Sequence, residues 1–139
     1  MKTQIAKVLL VEDNPADIRL TQEAFKKFRI YNKLEVVRDG VEAMEYLHNP
    51  KNTIPDIILL DLNLPKKNGL EVLKEIKADI RLRKIPIIIL TTSENDIDIN
   101  ESYKNYASCY ITKPVSMFEF VKAIEKFKIF WFSLVKLPS

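Results

Sequence analysis

Short apolar runs punctuate this chain, and each hands over to a polar or charged residue. Val8-Leu9-Leu10-Val11 leads into Glu12-Asp13, and Ile57-Ile58-Leu59-Leu60 leads into Asp61. Ile87-Ile88-Ile89-Leu90 delivers Thr91-Thr92, and Cys109-Tyr110-Ile111-Thr112 delivers Lys113-Pro114. Unbroken aliphatic runs of this kind predict strands buried on both faces, the first spanning roughly Ile5 to Glu12. Between the runs the period becomes helical. Asn14-Pro15 supplies an N-cap and a first helical residue, Asp17 suits the first turn, and Ile18, Phe25 and Phe28 share one side. Leu34 to Val37 reads as a second strand, and Gly40 to His48 as a second helix with Val41, Met44 and Leu47 inward. Asn68-Gly69 opens a third helix in which Leu70, Leu73, Ile76 and Ile80 keep near-helical spacing. Ser93 to Ser108 yields only a weak fourth helix. Ser116 caps a last one, with Phe118, Val121, Ile124 and Phe127 inward.

Strand and helix alternating in this way predict an α/β fold: a parallel sheet with helices on both faces and right-handed crossovers. Ligands in such sheets bind outside the carboxyl ends of the strands. The same rim receives Glu12, Asp13, Asp61, Thr91 and Lys113, so fold and site are inferred from different features and agree.

Length and composition narrow the field. A chain of 139 residues is expected to form one domain, 1–139. Net charge +3, with scattered lysines, argues against a nucleic-acid partner. A single cysteine excludes an internal disulfide. No signal pattern or membrane-length apolar stretch is present, so a cytoplasmic location without membrane association is the expectation.

Taken singly, the rim residues have plain explanations. Glu12-Asp13 suits a solvated loop and helix cap, Thr91 suits strand propensity, and Lys113 suits a surface lysine. Together they form a specific set. Carboxylates crowded at the edge of an apolar strand raise one another's proton affinity and cost stability unless a cation intervenes. Mg2+ fits, with Asp13 and Asp61 as direct ligands, Glu12 acting through water and the carbonyl of Asn63 completing the protein's share. A carboxylate can be nucleophile towards a phosphoryl group, whose charge then needs an ammonium and a hydroxyl. Lys113 and Thr91 offer these.

With Glu12-Asp13, Asp61, Thr91 and Lys113-Pro114 in place, together with Pro65, Gly69 and Tyr110, the chain resembles the receiver domains of two-component response regulators over nearly its whole length. The resemblance implies a flavodoxin-like fold, a three-layer sandwich around a five-stranded parallel sheet in the order 2-1-3-4-5. It implies Asp61 as phosphoacceptor from a sensor histidine kinase, a cis Lys113-Pro114 bond, and Thr91 with Tyr110 as the switch pair. Thr92 stands where many receivers carry a smaller residue and is expected to slow loss of the phosphate. The run Leu90-Thr91-Thr92-Ser93, the loop around His48-Asn49-Pro50 and the tail Phe130-Trp131-Phe132-Ser133-Leu134 narrow the resemblance to stand-alone regulators paired with phytochrome-type kinases. His48 reads as a loop residue rather than a phosphate carrier.

Output must then be a change of surface. Asp96 to Tyr106, poorly anchored and rich in tyrosine, is the expected two-state element. The aromatic tail at about 128–139, with Phe130, Trp131 and Phe132, is expected to bury itself in a homodimer. A Mg2+-dependent phosphohydrolase is the rival from the enzyme class. It would need a general acid two residues beyond Asp61, where Asn63 stands. A flavin carrier would have phosphate repelled by Glu12-Asp13-Asn14-Pro15, and a receiver used only for binding would not need the intact acid, threonine and lysine.

Overall fold

A computed structural model describes residues 6–27, 32–92 and 95–113. The expectations for Phe28, for Pro114 and its peptide bond, for the last helix and for Phe130, Trp131 and Phe132 lie outside the described residues.

The order is β1 (Ala6–Val11), α1 (Pro15–Lys27), β2 (Asn32–Val37), α2 (Gly40–His48), β3 (Ile57–Leu60), α3 (Gly69–Ala78), β4 (Ile87–Thr91), α4 (Asp96–Lys104) and β5 (Cys109–Thr112). All strand pairs are parallel, in the order β2-β1-β3-β4-β5. This is the expected receiver topology.

Strand periodicity divides the interior into two layers. Leu9, Val11, Ile58, Leu60, Ile87 and Ile89 face one side, packed with Ala43, Met44 and Leu47 of α2 and Val72, Leu73 and Ile76 of α3. The alternate residues Val8, Leu10, Ile57, Leu59, Ile88 and Leu90 face the other side with Ile18 and Phe25 of α1. Register carries the layers across the sheet: Leu9 pairs with Ile58 and Ile58 with Ile87. A one-residue slip would invert every strand, so this register is strongly specified.

Side-chain caps start the helices where the sequence indicates. Asn14 Oδ1 accepts from the Ala16 and Asp17 amides (2.9 and 3.3 Å), Asp39 Oδ1 from Glu42 (2.7 Å) and Asn68 Oδ1 from Glu71 (3.0 Å). Two inward assignments fail. Val41 is exposed, because the buried stripe of α2 runs through Gly40, Ala43, Met44 and Leu47 and Val41 lies to its side. Ile80 is exposed because α3 ends at Ala78 and Asp79 is already the extended C-cap. The weak fourth helix is present, with Ile97, Tyr103 and Tyr106 exposed.

Candidate functional site

The sheet ladder continues one residue past the strands and fixes the rim. The Glu12 amide donates to Val37 O (3.0 Å), the Asp61 amide to Val11 O (3.0 Å) and the Lys113 amide to Thr91 O (2.6 Å). Backbone placement therefore aims all these side chains before any of them interacts. Behind Asp61 the chain doubles back, with the Gly69 amide donating to Leu62 O at 2.9 Å. A β-carbon on Gly69 would lie 2.3 Å from Asp61 O and 2.5 Å from Leu62 Cα, so only glycine lets α3 start this close to the site.

Carboxylate oxygens of Glu12, Asp13 and Asp61 lie within 4.8 Å of one another. Asp13 is exposed, whereas Glu12 and Asp61 are buried. The buried Lys113 ammonium donates to Glu12 Oε1 (2.5 Å), Asp17 Oδ2 (2.8 Å) and Asp61 Oδ2 (3.2 Å). The remaining oxygens are also engaged: Asp61 Oδ1 accepts from the Asn63 amide (3.0 Å) and Glu12 Oε2 from the Asn14 amide (3.3 Å). The sequence-derived acids and lysine thus converge.

Burial pushes the Glu12 carboxyl up to about 7. The contact with Lys113 opposes that rise and the neighbouring Asp61 adds to it. Lys113 is pulled down by its own burial, but its bonds to Asp17 and Glu12 and the charges of Asp61 and Glu12 outweigh that and hold its pKa above the ordinary lysine value. Three carboxylates on one ammonium, with Asp13 beside two of them, leave an excess of negative charge. An all-oxygen, carboxylate-rich donor set of this kind suits a hard divalent cation such as Mg2+.

Thr91 is fully buried, and its hydroxyl accepts from Asn63 Nδ2 (3.2 Å). The same Nδ2 donates to Thr92 Oγ1 at 2.9 Å, tying the loop after β3 to the end of β4. The sequence points to Asn63 for its carbonyl and as a residue unable to serve as general acid, and gives no sign of this link. Tyr110 is partly buried against the core layer that holds α2 and α3. His48 is not a loop residue but the last of α2, with Nε2 3.2 Å from Asp79 Oδ2. Asp17 was read only as a first-turn acid, yet it is a full partner of Lys113. The available signal was its position in the turn that follows Glu12-Asp13, which directs it back to the rim.

Among the described residues, no helix is long and apolar enough to cross a membrane. The family described as the response regulator receiver domain matches residues 8–125. Response regulator Rcp1 of Synechocystis sp. is 44% identical over 139 aligned residues, covering 95% of this chain and 92% of that protein. Among solved structures, the phosphorylated cyanobacterial phytochrome response regulator RcpA is 46% identical with a TM-score of 0.85, over 98% of this chain and 100% of that one. The Mn(2+)-bound form of Rcp1 is 43% identical with a TM-score of 0.83, over 96% and 99%.

Proposed function

The chain belongs to the response regulator receiver family, and from that premise we propose that it accepts a phosphoryl group on Asp61 from a phytochrome-type sensor histidine kinase. The observation that carries the reading is the convergence of Glu12, Asp13, Asp61 and Lys113 at one rim, with Lys113 Nζ 3.2 Å from Asp61 Oδ2.

In the proposed transfer an Asp61 oxygen bonds to phosphorus. The P–N bond of the donor breaks with its electrons going to the imidazole, which takes a proton from water. Asp13, Asp61 and the carbonyl of Asn63, with Glu12 through water, would hold Mg2+, which would supply positive charge to the transferring oxygens; the Mn(2+)-bound relative supports such a site. The protein's own residues do the rest. Lys113 neutralises one side of the phosphoryl group, and the Thr91 hydroxyl leaves Asn63 to donate to it. Tyr110, on β5 opposite Ile89 and two positions short of the partner of Thr91, follows inward, and the pair reports the modified state to the surface. The chain acts as a signalling protein rather than an enzyme of metabolism, in the cytoplasm, and works as a homodimer through Phe130, Trp131 and Phe132.

Acetyl phosphate with Mg2+, followed by intact mass, tests the reading. One added phosphate is expected, absent without the metal and absent in Asp61→Asn. Phosphate that persists in Asp61→Asn would refute the assignment. Phosphotransfer from a phytochrome-type kinase, faster than from unrelated kinases, tests the pairing.

A further inference from the structure

An ammonium has three protons to donate, and around Lys113 three carboxylates take them. The bonds to Glu12 and Asp17 are 2.5 and 2.8 Å, whereas that to Asp61 is 3.2 Å, so the ammonium is drawn towards the β1–α1 side of the rim. Asp17 differs from the other two acceptors. Glu12 and Asp61 belong to the clustered acids and their side chains are 2% and 7% exposed, while Asp17 stands on α1 with 29% exposure. Its backbone is nonetheless fixed: the amide donates to Asn14 Oδ1 (3.3 Å), and the carbonyl accepts from the buried Thr21 hydroxyl (2.9 Å). Asp17 is therefore a carboxylate held rigidly within reach of Lys113, yet able to regain water when the ammonium leaves.

We propose that Asp17 is a positioning residue, the resting anchor from which Lys113 swings to the phosphoryl group when Asp61 is modified. The inference rests on the phosphoacceptor reading of Asp61. Phosphorylation turns the Asp61 acceptor into an acyl phosphate whose phosphoryl oxygens lie beyond Oδ2, so an ammonium that follows them must lengthen its bond to Glu12 or to Asp17. Releasing Glu12 would take the ammonium from a carboxyl group that water cannot reach, which is unfavourable. Releasing Asp17 returns a part-exposed carboxylate to water at small cost. The strength of the Asp17–Lys113 pair thus sets how readily the phosphorylated arrangement forms.

Two measurements test this. In the metal-free protein, the ε-ammonium 1H–15N signal of Lys113, identified by its loss in Lys113→Met, should be protected from exchange. It should broaden away in Asp17→Ala and return in Asp17→Glu, with the amide spectrum confirming the fold of each variant. With Mg2+ and beryllium fluoride, a tetrahedral phosphoryl mimic, Asp17→Ala should bind the mimic about two- to fivefold more tightly than the parent chain. In the Lys113→Met background the same substitution should change nothing, since the coupling runs through the ammonium. A Lys113 signal indifferent to Asp17→Ala overturns the anchor alone. Unchanged or weaker mimic binding, or tighter binding that persists in Lys113→Met, overturns the swing. Failure of the unsubstituted chain to take the mimic overturns the phosphoacceptor reading, and the swing with it.

Discussion

Glu12 is the residue at which the rim's excess charge is most visible. Its folded-state pKa of about 7 lies above the ordinary 4.5, chiefly because burial disfavours the carboxylate. Between those values the folded chain keeps a proton that the unfolded chain has lost. The unfolded state therefore binds fewer protons there, and stability falls as pH rises through that window. Urea denaturation without metal is expected to show a chain less stable at pH 8 than at pH 5, by on the order of 2 kcal/mol from this group. Glu12→Gln should flatten that slope, and Mg2+ should restore more stability at pH 8 than at pH 5. A slope unchanged in Glu12→Gln would count against burial of Glu12 as its source. Lys113 does not contribute in this range. Its pKa is raised above 10.5, so its stabilisation is fully present below that value and is lost only at higher pH.

At the scale of elements, the segment between β3 and α3 positions Asp61. Its two ends are pinned by close approaches: a β-carbon on Gly40 would lie 2.0 Å from Lys67 O, and one on Gly69 would lie 2.3 Å from Asp61 O. Gly69→Ala should destabilise the chain by about 1–3 kcal/mol, because either the α3 start or the Asp61 backbone must shift. Mg2+ affinity measured by calorimetry should fall alongside. A variant that lost stability but bound Mg2+ like the parent would show that the shift is taken up by α3 alone. Helix α4 contrasts with this tight packing. Its Ile97 and Tyr103 are exposed, and its buried Ser102 hydroxyl has no hydrogen-bond partner among the described residues. Weak anchoring fits the expectation that this element supplies the second conformation. The sequence showed that weakness as an absence of apolar period. It could not show that Ser102 is buried, since α4 meets α3 and β5 only in the fold.

Ending the chain before Phe130 should convert a dimer to a monomer in sedimentation at concentrations where the full chain is dimeric; an unchanged sedimentation coefficient would remove the tail from the interface. The sequence by itself determined the five strands, their parallel order through the family resemblance, and the rim that gathers Glu12, Asp13, Asp61, Thr91 and Lys113. It could do so because strand burial and helix caps are local, and because in a parallel sheet every strand end points to the same side. It misplaced Val41, which lies about 100° round the helix from Gly40 and off the buried stripe of Gly40, Ala43, Met44 and Leu47, and Ile80, which lies past the end of α3. It also gave no sign of the long-range bonds that the side chains of Asp17 and Asn63 make. Their partners, Lys113 and Thr92, are 96 and 29 residues away in the chain, and only the folded sheet brings such groups within a hydrogen bond of each other.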